Sequence, residues 1–231
     1  MVLSRKGVPP GRREPARAGD PYSSRQPTSH ERHAGRPWDA SYVDGPPPWD
    51  IGRPQPAVER LVRQGAFAGA VLDAGCGTGE NALHVASLGI RVVGVDVAET
   101  AVSLARQKAA ARGIDADFVV ADALRLDRLG RVFETVLDCG LFHSFDRDER
   151  LEYVANLASV TVPGGVLYVL CFSDAGPEPR GPHPVSEEEL RAAFTRSPGW
   201  SVAAVGPERL QTALAAGAIS AWLAKIERTQ G

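Results

Sequence analysis

Cysteine is scarce: Cys76, Cys139 and Cys171 are the only three in 231 residues. Their spacing rules out a disulfide framework and a paired-cysteine zinc site, and each falls in or beside an apolar run, as small buried thiols do. No other group of His, Cys, Asp and Glu has the spacing of metal ligands, so no metal is implied. Long hydrophobic runs are missing too. None approaches the roughly 20 residues that span a bilayer, and no charged-then-apolar leader opens the chain, so the expectation is a cytoplasmic protein with no membrane partner. Nor does one charge dominate. Twenty-six Lys and Arg stand against 28 Asp and Glu, which argues against a general nucleic-acid binder. What is present, 43% hydrophobic and 23% charged residues, is ordinary for one globular domain with an appendage.

Residues 1–36 are unlike the rest. They hold eight Lys or Arg, three acids, many Pro, Gly and Ser, and almost no large apolar residues. Such a stretch buries too little surface to offset its chain entropy, so it reads as a disordered basic tail, either passive or touching phosphates. The domain proper then runs over 37–231. Within 37–66, Trp38, Tyr42 and Trp49 flank a triple proline, and Pro54 or Pro56 opens a helix to about Arg63. The aromatic residues either pack this lead-in onto the domain or form a lid over a ligand.

From residue 70 short apolar runs alternate with helical stretches. Strands are expected at 70–74, 91–97, 116–121, 133–140 and 165–172, and two more at "GWSVAAV" and "AISAWLAKI". Helices are expected at 80–89, 98–112, from Asp146 or Asp148 to Val160, and behind the capping box Ser186–Glu189. Near-continuous apolar strands alternating with helices predict an α/β fold with a mostly parallel, Rossmann-like sheet covered on both faces.

In such a sheet ligands lie beyond the carboxyl ends of the strands, and the first strand-to-helix turn here is "DAGCGTGE". The spacing Gly75-x-Gly77-x-Gly79 is followed by Glu80 where a dinucleotide fingerprint needs glycine, and a carboxylate there would repel a pyrophosphate. Asp73 precedes the turn in an otherwise apolar strand. Asp96 ends the second strand, where a carboxylate can accept both ribose hydroxyls, and Asp122 follows the third, where it can meet an adenine amino group. The ligand implied has a ribose, an adenine and a cationic amino-acid portion without phosphate. S-adenosylmethionine fits.

"VLDAGCGTGENAL", "VVGVDVAETAV", "VVADAL" and "PGGVLYVL" together resemble the successive motifs of class I S-adenosylmethionine-dependent methyltransferases. The resemblance implies a seven-stranded sheet whose last strand is antiparallel and inserted between strands five and six. It also implies that Asp73, Gly75, Cys76, Gly77 and Gly79 line the methionine portion, Asp96 and Val97 the ribose, and Asp122 and Ala123 the adenine, with Trp49 and Cys139 also touching the donor.

The acceptor should sit at the end of strand four, "DCGLFHSF". No Asn- or Asp-Pro-Pro-aromatic tetrad stands there, which counts against nucleic-acid bases and glutamine as acceptors. Phe142 and Phe145 offer apolar walls, and His143 either orients or deprotonates an acceptor or merely caps the next helix. His183, on the loop after strand five, could close over the site. The wider pattern resembles a small-molecule branch that includes thiopurine, tellurite-resistance and hydroxyquinolone methyltransferases. That resemblance implies a small heteroaromatic O-, N- or S-acceptor, with Trp38 or Tyr42 closing its pocket. The competing readings are methylation of RNA or protein, and a donor-binding module without turnover.

Overall fold

A computed structural model of the chain describes residues 25–176, 183–214 and 217–230. Seven strands form one sheet: β1 (Val71–Ala74), β2 (Val92–Asp96), β3 (Asp117–Val120), β4 (Phe133–Cys139), β5 (Thr161–Phe172), β6 (Trp200–Gln211) and β7 (Ala218–Arg228), in the order β3-β2-β1-β4-β5-β7-β6. The first five are parallel to one another, and β7 runs antiparallel between β5 and β6. The architecture and the position of the inverted strand are those the sequence motifs imply.

Alternation along the strands explains why helices cover both faces. Leu72, Val136, Leu167 and Val169 join Tyr153, Val154 and Leu157 of α5 (Arg147–Val160) and Leu190 and Phe194 of α6 (Glu187–Thr195) in one core. Val71, Leu137 and Tyr168 face the other way. There they pack with Val58 and Leu61 of α2 (Pro56–Arg63), Leu83 of α3 (Glu80–Ala86) and Val102 and Ala105 of α4 (Glu99–Arg112). Local signals set the helix ends: Pro56 opens α2, Gly113 in the left-handed region closes α4, and Ser186 with Glu189 caps α6.

The N-terminal stretch departs from its expected disorder. Residues 1–24 lie outside the described residues, but Ser29–Ala34 form a helix, α1. Its cap is Thr28 and Glu31, a capping box inside the basic stretch. Glu31 is fully buried and accepts from Arg25, from the backbone N–H of Thr28 at 2.9 Å and from that of Trp38 at 2.9 Å. The helix is tied to α5 through Ser29, whose N–H donates to Glu149 at 2.6 Å. Low apolar content was thus a poor guide here, because a buried ion pair and two caps hold the segment where a hydrophobic face would otherwise be needed.

The strand order reverses between β1 and β4, the usual place for a ligand crevice. The carboxyl ends of β1, β2 and β4 meet there, and the N-terminal segment lies across them.

Candidate active site

The cleft at that reversal is floored by the glycine turn between β1 and α3. Gly75, Gly77 and Gly79 all have positive φ, at 71°, 53° and 85°, which L side chains rarely adopt. Part of what forbids a Cβ there is protein. A Cβ on Gly75 would approach Leu141 to 2.9 Å, and one on Gly79 would approach Phe118 to 2.8 Å. At Gly77 it would meet the Tyr42 hydroxyl at 3.3 Å, on the cleft side.

The carboxylate ending β2 is half-buried, and desolvation raises its pKa while backbone donors oppose the rise. Gly77 donates its N–H to Asp96 Oδ2 at 2.9 Å, and Ala98 donates to Oδ1 at 2.9 Å. Each oxygen keeps a further lone pair, and Asp96 lines the cleft. Asp122 caps the 3₁₀ segment Ala123–Leu129 through Leu124 N–H at 2.9 Å, and it also lines the cleft, with Val97, Ala123, Cys76 and Cys139.

Trp38, Tyr42 and Trp49 form the roof. Trp49 Nε1 donates to the Tyr42 hydroxyl at 3.1 Å, and the Trp38 and Trp49 rings meet edge to face at 5.7 Å. The roof is fastened to the floor by Asp50, whose Oδ2 accepts from the Thr78 hydroxyl at 2.6 Å. Lys108 Nζ donates to that same hydroxyl oxygen at 2.6 Å.

At the end of β4, His143 and Phe145 line the cleft. His143 Nδ1 accepts the backbone N–H of Phe172 at 3.2 Å, and its ring stacks on the Phe172 phenyl at 4.0 Å. Burial, then the positive charge of Arg150, pushes the imidazole pKa down to about 3. A neutral ring with Nδ1 accepting carries its proton on Nε2. With Nδ1 occupied by the Phe172 N–H, His143 offers the cleft wall an N–H rather than a basic nitrogen, a geometry that favours an orienting over a deprotonating role.

Other sequence-derived positions also move. Phe142 is in the core, stacked on Phe194 at 5.9 Å with Arg150 over its ring, and does not line the cleft. The short 3₁₀ turn Phe142–Ser144 turns Phe142 into the core while Leu141, His143 and Ser144 line the cleft, a detail the apolar run could not disclose. His183 lies outside the cleft wall too, where its backbone carbonyl accepts from Arg150 at 3.0 Å. Asp73 sits beneath the turn, buried and away from the cleft, with neither oxygen hydrogen-bonded by geometry. It neighbours Asp138, which accepts from Leu141 and Phe142 N–H at 3.0 and 3.2 Å. Burial raises both carboxyls to about 7, and their mutual repulsion adds to the rise at Asp73. Burial raises the Tyr153 phenol, and the neighbouring Asp138 carboxylate adds to the rise. Glu80 is neutralised by Lys108 and Arg112 at 2.8 Å each, so its charge bears less on the ligand than the sequence suggests.

The sequence also missed Thr28 and His30, both on the cleft wall. The signal was Thr28-x-x-Glu31, a cap within a stretch that composition alone marked as tail.

Among the described residues the cleft wall carries four carboxylates, Asp50, Glu80, Asp96 and Asp122, against one guanidinium, Arg53. That balance suits a cationic ligand with hydroxyls and opposes a diphosphate. The residues present therefore fit S-adenosylmethionine.

A methyltransferase-domain family matches residues 71–165. The chain is 42% identical over 167 residues to the 2-heptyl-1-hydroxyquinolin-4(1H)-one methyltransferase of Mycobacteroides abscessus, covering 71% of this chain and 73% of that one. A solved structure from work on the conversion of a disulfide bond into a thioacetal group during echinomycin biosynthesis is 38% identical. It superposes with a TM-score of 0.76, over 83% of this chain and 90% of its own. The magnesium protoporphyrin IX methyltransferase of Synechocystis with bound S-adenosylmethionine is 26% identical. Its TM-score is 0.57 over 75% of this chain and 76% of its own. The chain belongs to the class I S-adenosylmethionine-dependent methyltransferases and is an enzyme of that family acting on small molecules.

Proposed function

We propose that the protein methylates a small, planar heteroaromatic acceptor held between the aromatic roof and the end of β4. The observation that carries this reading is the composition of that wall. Trp38, Phe145 and Phe172 supply flat apolar surface, and His143 lines it with Nδ1 held by Phe172, which leaves its N–H on Nε2. The 42% identity to a methyltransferase named for a hydroxyquinolone supports the same acceptor class. When bound, the donor supplies a methyl group already activated on a positive sulfur. The chain's own residues then have three tasks: alignment, desolvation and custody of the acceptor's proton.

Asp96 would hold the ribose and Asp122 the adenine side. Gly75, Gly77, Cys76, Cys139 and Trp49 would bracket the amino-acid and sulfur portion. Tyr42 and Trp49, bound to each other, would exclude water over the reacting atoms, with Asp50–Thr78 keeping the roof shut. His143 would orient the acceptor by donating to an oxygen or nitrogen lone pair of its ring.

A panel of hydroxyquinolones, phenols, ring N–H heterocycles and thiols, scored by a mass gain of one methyl, tests the reading. Turnover of bicyclic hydroxylated heterocycles with kcat/KM well above that of simple thiols is the expected result. Preference for RNA or protein acceptors, or tight donor binding without turnover of any member, would overturn it.

A further inference from the structure

The roof brings one more titratable side chain to the acceptor's end of the cleft. His30 sits on α1 and lines the same wall as His143 and Phe145. Its ring stacks on Trp38 at 4.3 Å and 18°, so its plane is set by the roof. Three independent ties fix α1 itself: the Thr28–Glu31 box, the Glu31–Trp38 bond and the Ser29–Glu149 bond.

Among the described residues, the other acid–base groups of the cleft each have a partner or a burden of burial. Asp50 accepts from Thr78, Asp96 from two backbone N–H groups, Asp122 from Leu124, and Glu80 pairs with two cations. Burial holds the Cys76 and Cys139 thiols and the Tyr42 phenol well above their usual ranges, and His143 has its basic nitrogen occupied by Phe172. No group among the described residues hydrogen-bonds the His30 ring nitrogens, and the side chain is half-buried with access to water.

We propose that His30 is the catalytic base of methyl transfer, taking the proton of the acceptor's nucleophilic atom while His143 holds a lone pair elsewhere on the same ring. This rests on the small-acceptor reading above. The acceptor's oxygen or nitrogen forms a bond to the methyl carbon as the methyl–sulfur bond breaks. That electron pair stays on sulfur, leaving a neutral thioether, and the acceptor's proton passes to His30, which returns it to water. The substrate class is thereby narrowed to rings with a protic nucleophile and a separate hydrogen-bond acceptor.

The groups around His30 favour its neutral, basic form at neutral pH. Its pKa is lowered by burial, then by His183 from the loop before α6, and by His33 and Arg36 from its own stretch. Glu31 opposes them, and the His143 imidazole, itself under the positive charge of Arg150, is within electrostatic reach of His30.

His30→Asn, which keeps a flat polar side chain against Trp38, is expected to lose roughly a hundredfold or more in kcat with protic acceptors. The acid limb of the kcat/KM profile should vanish with it, and the loss should shrink as the acceptor's own pKa falls below the assay pH. Free imidazole should restore turnover in His30→Ala. Wild-type rates and an unchanged profile in His30→Asn would overturn the assignment. An acceptor-free readout separates this from failure of the acceptor class. In the protein loaded with S-adenosylhomocysteine, imidazole NMR should show His30 titrating below 6.5 and His143 remaining an Nε2–H tautomer to strongly acidic pH. A His30 that stays charged at neutral pH, or a His143 that titrates near it, would equally defeat the proposal.

Discussion

The backbone N–H of Phe172 donates to Nδ1 of His143 at 3.2 Å, with the two rings stacked at 4.0 Å. This contact between β5 and the turn after β4 decides the imidazole's tautomer and hence its use. His143→Asn retains an oxygen near the position of Nδ1 and removes the Nε2–H. We expect acceptor KM to rise about threefold to tenfold, the value of one neutral hydrogen bond, with donor affinity and the limbs of the pH profile unmoved. A lost limb in that variant would show that His143 titrates in catalysis.

Asp96 carries the donor's sugar in this scheme. Asp96→Ala removes an anionic acceptor of two ribose hydroxyls, and charge-assisted bonds of this kind are worth about 1.5–3 kcal/mol each. Donor affinity measured by calorimetry should fall by about a hundredfold or more. The same change strands the N–H groups of Gly77 and Ala98, so a lower melting temperature should accompany it. Unchanged donor affinity would remove the ribose assignment.

The strands, the glycine turn and the acids ending β2 and following β3 were legible in the sequence, because apolar runs and obligatory turn chemistry leave local marks; the inverted β7 came only from the resemblance of the motifs to a family. Which residues of "LDCGLFHSF" face the cleft was not legible. A three-residue 3₁₀ turn sets that, putting Phe142 in the core and His143 in the wall. Asp73 reads as a ligand contact by motif yet is buried away from the cleft, because the register sets it opposite Leu137 in the strand interior. His30 was hidden for a different reason. Its helix is held by the buried Glu31 and its partners, and composition does not report such a tie.

Glu31 should accordingly control the roof more than the fold. Glu31→Ala leaves the Thr28 and Trp38 N–H groups and Arg25 without their shared acceptor. Breaking a buried charge network of this kind costs about 3 kcal/mol. We expect amide exchange across residues 28–42 to quicken by roughly a hundredfold, and acceptor KM to rise. The main melting transition, set by the sheet core, should hardly move. Equal protection in both proteins would mean that α1 is held by other contacts.

The Asp73–Asp138 pair makes a prediction about stability against pH. Both carboxyls are raised by burial to about 7, and Asp73 further by Asp138. Between about pH 4 and 7 the unfolded chain releases these protons while the folded chain keeps them, so stability falls as pH rises across that window. The buried His143, lowered to about 3, works in the opposite direction below about 6.5. It is common to wild type and variant, so its contribution cancels in their difference. Asp138→Asn keeps an oxygen for the Leu141 and Phe142 N–H groups and removes one titrating site together with its repulsion of Asp73. Urea unfolding at pH 5 and pH 8 should then show the wild type losing more stability than the variant over that interval, by a difference on the order of a few kcal/mol. Identical losses would mean that the two carboxyls ionise in the folded protein as they do in the open chain, and that the space beneath the glycine turn is wetter than its burial indicates.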